Sequence, residues 1–271
     1  MYDYLNAIVY DLPGSGPSQS DVALVLYSNQ KGTKIMNLAR NLKIASLTAL
    51  FLAAGLACAA DSGSIDQLSG TVTVTGADKV ARKVGPKEKI QSGDLIATEA
   101  KSEVVIKLAD ESVVALRPNT QFRVEDFKYE KKATDTAQFA LLRGIARLVT
   151  GLVGKSSSDR VRVTAATATV GIRGTDFEVA VITEDTADTR AGVYDRVHDG
   201  ATNIKLASGP SLEVKKEQTA FAPDKLKPGE APLYILDSTP VFLQSGGGFD
   251  ALMQSITMQP INAIQQMPMF R

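Results

Sequence analysis

Between Gly70 and Pro223, apolar and polar residues tend to alternate with a period of two, in short runs rich in β-branched side chains. Gly70–Thr75, Glu103–Leu108, Ser112–Leu116 and Gln121–Phe127 each show the pattern, which places successive side chains on opposite faces of a half-buried strand. The same rhythm returns in Ile145–Leu148, Val161–Thr164, Asp176–Thr183, Gly192–His198, Thr202–Leu206, Ser211–Val214 and Thr219–Ala222. Turn-forming clusters punctuate the runs: Ser92-Gly93-Asp94, Ala109-Asp110-Glu111-Ser112 and Arg117-Pro118-Asn119-Thr120. Turns arriving about every 8–12 residues predict an all-β fold, a sandwich or roll of many short strands. Thr136–Arg147 is ambiguous, because Phe139, Leu142 and Ile145 fall at helical spacing while Arg143-Gly144 reads as a turn. A strand is the better reading.

The pattern changes at both ends. Ile44–Ala60 is an apolar run that follows Arg40 and Lys43 and ends in small residues around Cys58, the form of a secretory signal peptide. Cleavage after Ala59 fits the small residues Ala57 and Ala59 best. Two other fates stay open: acylation of Cys58, as in a lipoprotein, although Gly55 stands where a lipobox carries Leu; and retention as an anchor, although the run is at the short end of the ~17–25 residues that span a bilayer. Met36 is placed as a start for this signal, so residues 1–35 are expected to be a spurious or disordered extension and 36–59 the signal peptide. Asp61–Gln67 reads as a polar linker, Lys155–Asp159 as a loop, and Thr183–Ala191 as an acidic, threonine-rich loop. From 223 to 271 the chain reads as a proline-containing linker and tail, with Phe249, Leu252, Met253 and Ile256 spaced for a short amphipathic C-terminal helix that docks on the protein's own core.

Composition narrows the function classes. Thirty basic residues balance thirty acidic ones in 271, so no global field draws the chain to nucleic acid, and its only expected route to a membrane is the signal segment or a lipid on Cys58. With 44% apolar residues there is ample material for a core. Tryptophan is absent and aromatics make up 6%, which disfavours base- or sugar-stacking grooves. A chain cleaved after Ala59 has no cysteine, hence no disulfide and no thiol chemistry.

Several separated motifs name a family. Ser92-Gly93-Asp94-Leu95-Ile96-Ala97-Thr98 is similar to a G-D-x-I-x-T turn, and Leu108-Ala109-Asp110-Glu111-Ser112 to L-x-D-G-S, with Glu111 in place of the glycine. Leu142-Arg143-Gly144-Ile145-Ala146-Arg147-Leu148-Val149-Thr150-Gly151-Leu152 resembles L-x-x-G-x-x-R-x-x-T-G, and Ala165–Phe177 ends in Gly171-Ile172-Arg173-Gly174-Thr175-Asp176-Phe177. In this order they resemble the FecR domain, an extracytoplasmic all-β module of bacteria, over about Gly70–Phe177. The resemblance implies a FecR-like domain at 68–177, continued by packed strands at 178–222. It also implies a periplasmic or secreted location.

Each motif residue has a structural reading. Gly93, Gly144, Gly171 and Gly174 are expected at corners that need positive φ or close backbone approach. Asp94 and Asp110 are expected to bond amides two residues on, and Glu111 to cost about 1 kcal/mol if its turn is left-handed. Arg173 is expected to fork into carbonyls or a carboxylate, with Asp176 a candidate. Arg147, Gly151, Thr175 and Phe177 complete the motif set. Family members that regulate sigma factors carry a cytoplasmic domain before a membrane helix, for which residues 1–35 are too short.

Catalytic chemistry is sparse. The single His198 has no Gly-x-Ser-x-Gly elbow to work with, and one histidine cannot build a usual transition-metal site. The pairs Asp176/Glu178 and Glu125/Asp126 offer carboxylates, and Glu184, Asp185 and Asp188 offer oxygen ligands for calcium, but neither has the spacing of a known site. No cofactor, metal or catalytic set is expected. The expected role is a non-catalytic binding or structural module of the cell envelope with a protein or polysaccharide partner. A membrane-anchored signal-transducing regulator and an envelope hydrolase are the alternatives.

Overall fold

A computed structural model describes residues 61–156, 158–172 and 176–244. The expected signal peptide with Cys58, the extension before it and the C-terminal helix lie outside the described residues, as do Arg173, Gly174 and Thr175. The described residues form an all-β fold with one short helix.

Two sheets share one strand. Sheet A runs in the order β4 (Lys89–Gln91), β1 (Asp61–Ser69), β6 (Glu103–Leu108), β7 (Val113–Leu116), β9 (Thr136–Val149), β12 (Asp176–Ile182), β13 (Gly192–Asp199), β16 (Thr219–Pro223) and β17 (Tyr234–Ile235). Sheet B runs β3 (Ala81–Lys83), β2 (Val72–Thr75), β5 (Leu95–Thr98), β8 (Gln121–Lys128), β9, β10 (Val161–Ala165), β11 (Ala168–Ile172), β14 (Ala201–Leu206) and β15 (Ser211–Lys215). The first part of β9 pairs with β8 and, in parallel, with β10; its second part, from Gly144, pairs with β7 and β12. Gly144 is where the strand changes sheets. Its φ is +86°, and a Cβ there would stand 2.6 Å from Thr120 Cα. The Thr120 hydroxyl accepts from the Ile145 amide at 3.0 Å, bonding the switch to the turn before β8.

After β9 the chain passes through α1 (Leu152–Ser156) and lays down hairpins alternately, β10–β11 on sheet B, β12–β13 on sheet A, β14–β15 on sheet B and β16–β17 on sheet A. Because side chains alternate across each strand, every hairpin contributes one face to the shared interior. Ile65, Val104, Leu116, Phe177, Val179 and Val197 from sheet A meet Val74, Ile96, Phe122, Phe139, Val163 and Ile204 from sheet B in one buried cluster. Phe122 and Phe139 stack with centroids 5.4 Å apart.

The structure departs from the sequence reading at a few elements. Asp61–Gln67 is not a linker but most of β1, paired with β6 from Gly63↔Leu108 to Ser69↔Glu103. Two register shifts in β1 break its alternation, which is why the period-two pattern does not reveal it. Lys155–Asp159 is not simply a loop, since it contains the end of α1 and the start of a 3-10 turn. The segment after Pro223 packs on sheet A: β17 joins its edge, and a 3-10 turn at Val241–Leu243 buries Leu243 completely. Thr136–Arg147 is strand, as its punctuation indicates.

Candidate functional site

Two of the sequence motifs dock on each other. The Asp110 carboxylate, fully buried at the β6–β7 turn, accepts from the Ser112 amide at 3.0 Å, the Ser112 hydroxyl at 2.8 Å and the Val153 amide at 3.2 Å. Gly151 lies against the same turn, where a Cβ would stand 2.1 Å from Asp110 O, and its amide donates to Ser112 Oγ at 2.8 Å. The turn therefore holds the start of α1. Glu111 is left-handed at φ 69°, the conformation for which its missing glycine is suited.

The other motif residues sort by position. Gly93 turns at φ +94°, while Asp94 accepts from the Gln91 amide at 2.9 Å, three residues back rather than two ahead. Gly171 lies inside β11 opposite Arg162 and Asn203; its φ is not in the left-handed region, and a Cβ would meet only Asn203 O at 3.7 Å. The expected corner at Gly171 is thus an ordinary strand position. Phe177 is fully buried in the core. Asp176 is held by Arg147 of β9, whose Nε and Nη2 donate to its two oxygens at 2.8 and 2.7 Å, and the expected pairing with Arg173 lies outside the described residues.

That pair begins a charged row across the outer face of sheet A, the face turned away from sheet B. Glu178, two residues on in β12, is completely buried; its Oε1 is 2.8 Å from Arg117 Nη2 and its Oε2 is 3.7 Å from His198 Nε2. Arg196 stands opposite Glu178 in the β12–β13 register and is 8% exposed. Beside the row lies an apolar patch of Ala180, Tyr194 and Phe221, with Ile145, Ile182 and Tyr234 packed against it.

A strap, residues 224–244 with β17 and the 3-10 turn, closes over both. Arg190 anchors its start: the guanidinium forks onto Glu230, donates to Lys225 O at 3.1 Å and lies 5.3 Å from the centre of the Phe221 ring. The Arg190 guanidinium, with the Lys227 amide and the Tyr234 hydroxyl, holds the Glu230 carboxyl down at about 2. Phe242 packs edge-on to Tyr194 at 5.2 Å, Arg117 Nη1 donates to Phe242 O at 3.0 Å, and Arg196 Nη1 donates to Leu243 O. The last carbonyls of the 3-10 turn, which have no partner within the turn, are thus met by arginines.

Asp195 faces the other way, into the core. Its Oδ2 accepts from the Thr202 hydroxyl at 2.6 Å, and burial pushes the carboxyl up to about 7.

Residues 94–209 match the family model described as FecR protein. The chain carries a FecR domain. The match runs from Asp94, before β5, to Gly209 in the β14–β15 turn, so both the Asp110–Gly151 lock and the charged row belong to the FecR domain, and the strap follows it. No curated protein matches the chain. Among solved structures the chain is similar to two crystal structures, at 2.50 and 1.65 Å resolution, of a candidate anti-sigma factor from Parabacteroides distasonis. Identities are 15% and 14% and TM-scores 0.42 and 0.41. Each alignment covers 54% of this chain and 60% of the other, so the chain spans about 60% of those proteins' length.

The carboxylates considered from sequence are not brought together as catalytic pairs. Asp176 and Glu178 each face an arginine, and Asp126 accepts from the Thr136 hydroxyl at 2.8 Å beside a register shift that separates it from Glu125. The acidic loop closes on itself: Asp185 accepts from the Ala191 amide at 2.7 Å, and Thr186 from the Thr189 amide. The recess beside it, about 260 Å³, is lined by Arg190 and Lys225 as well as Glu184, Asp185 and Asp224. Among the described residues no group of three or more His, Cys, Asp or Glu could hold a metal. Sequence reasoning missed Arg117, Arg190, Arg196 and Glu230. The only early signal was that Arg196 and Glu178 are charged residues inside apolar strands.

Proposed function

We propose that this chain is a non-catalytic recognition module of the FecR type, acting in signalling at the cell envelope and binding a protein partner through the outer face of sheet A. The observation that carries the reading is the FecR match over residues 94–209, which contains Glu178 and Arg196 as well as Arg117 and Arg147. Arginines that meet carboxylates and main-chain carbonyls in forked geometry suit peptide recognition. Carboxylates paired with arginine in this way hold shape rather than activate water. The extracytoplasmic placement rests on the apolar Ile44–Ala60 segment.

The competing hydrolase reading is tested with the purified full chain on glycan and ester substrates. We expect no turnover above the buffer rate. Turnover that disappears in Asp176→Asn or His198→Ala would overturn the recognition reading. Intact mass of the chain recovered from the envelope separates the three fates of the apolar segment: a start near Ala60 means cleavage, a diacylated Cys58 a lipoprotein, and a retained segment an anchor.

A further inference from the structure

The end of the strap, residues 239–244, does not complete the site that it covers. Past Leu236, whose amide donates to Thr219 O at 2.8 Å, the strap leaves the β-ladder, and its Phe242 and Leu243 carbonyls turn to arginine side chains. Leu243 is fully buried against Ala180, Tyr194 and Phe221, yet Val241 is 81% exposed. Beneath it, Arg196 Nε is out of solvent and has no hydrogen-bond partner among the described residues, while His198 Nε2 and both oxygens of Glu178 are also out of solvent and without a hydrogen bond, 3.7 Å separating Nε2 from Oε2. Buried donors left unmet in this way cost stability unless something supplies an acceptor. Arg196 gives one Nη to a neutral carbonyl, whereas its fork is built for two oxygens. The row of Arg117, Arg147 and Arg196 against Asp176 and Glu178 holds three guanidinium groups and two carboxylates, one net positive charge before His198 is counted.

We propose that the strap is an internal stand-in for a partner's C-terminus, and that this face binds a free C-terminal peptide ending in two large apolar residues. In the bound state the partner's last side chain fills the Leu243 pocket and the one before it packs edge-on to Tyr194 as Phe242 does. The terminal carboxylate takes the place of the Leu243 carbonyl and engages the Arg196 fork with both oxygens. The strap, tethered to β17, competes at the millimolar effective concentration of a short linker, so the closed chain binds outside peptides weakly. The inference rests on the reading of the chain as a recognition module and adds the class of ligand.

The test uses the full chain and two fluorescent peptides with the sequence of residues 239–243, one ending in a free carboxylate and one in an amide. Binding is followed by anisotropy to the wild-type chain and to a Phe242→Ala/Leu243→Ala variant whose melting curve shows it folded; Leu243→Ala alone serves if the double variant does not fold. We expect the opened chain to bind the acid peptide at least about tenfold tighter than wild type does, by removal of the tethered competitor. The acid should bind about fivefold tighter than the amide, and Arg196→Gln in the opened chain should erase that preference. Equal binding of acid and amide, or no binding of either to a folded opened variant, would overturn the proposal. Failure of both peptides while the strap face still crosslinks to an envelope protein would overturn the C-terminal ligand and leave the recognition module standing.

Discussion

Asp195 stands in β13 opposite Val179, its carboxyl buried in the core with the Thr202 hydroxyl on Oδ2 and no partner on Oδ1 among the described residues. Burial raises it to about 7, so the folded protein keeps the acid neutral below that pH, while the unfolded chain ionises it above about 4. Between those values folding takes up a proton. Stability contributed by this group therefore falls as pH rises from about 4 to 7 and is level above. Asn at this position keeps an acceptor for Thr202 without the titrating proton. The advantage of Asp195→Asn over wild type in urea unfolding should widen from pH 5 to pH 8 by on the order of 2 kcal/mol. A constant gap would show that the carboxyl does not titrate there.

Asp110 is the opposite case, a buried carboxylate with its partners in place. Asp110→Ala leaves the Ser112 and Val153 amides without their acceptor, and should cost roughly 2–3 kcal/mol in the same assay. An effect below ~0.5 kcal/mol would mean that water replaces the carboxylate at no loss. The Asp110 turn was legible in sequence because its bond to Ser112 is local. The Arg147–Asp176 fork was not, because it joins residues 29 apart on two strands whose adjacency depends on the whole sheet.

At the scale of the element, β9 decides the architecture, and two glycines separate its requirements from mere family likeness. Gly144 must be left-handed where the strand changes sheets and touches Thr120, whereas Gly171 is a plain strand residue with room for a methyl group. Gly144→Ala should destabilise by roughly 2–4 kcal/mol, from the left-handed backbone and the clash together. Gly171→Ala should cost less than about 1 kcal/mol or be neutral. Thermal melts of both variants test this, and equal losses would contradict it. Motif spacing marked both glycines alike. Only the surroundings of each backbone distinguish them.

The strap is the element that sequence described least well, since three prolines between Pro223 and Pro232 read as a linker. Its order comes from Arg190, Glu230 and Tyr234, whose association is a tertiary fact. With its carboxyl held down at about 2 against an ordinary value near 4.5, Glu230 contributes stability that is present above about pH 4.5 and lost as pH falls toward 2. Glu230→Gln should thus lower the melting temperature at pH 7, and the difference from wild type should shrink steadily below pH 4. A difference unchanged at pH 2.5 would mean that the ion pair is not its source.

For the whole molecule, the all-β class and most strands followed from period-two patterning, because half-buried strands must alternate and the turns between them carry Gly, Pro, Asn and Asp. The division into two sheets did not follow. Alternation gives each strand a buried face but cannot say which sheet it joins, and β9 belongs to both. Nor could it show that Glu178, a polar residue at a solvent-facing strand position, is buried by a strap more than fifty residues later in the chain.

On the proposed function, the outer face of sheet A, beside the strap, meets a partner protein. Photo-crosslinking in the envelope tests it most directly, with the crosslinker placed in the full chain at Val241, exposed on the strap, and separately at Lys205, exposed on sheet B. A discrete protein adduct is expected from Val241, weakened by Arg196→Gln, and none from Lys205. Adducts of equal yield from both positions, or none from Val241 in a chain recovered folded from the envelope, would contradict it.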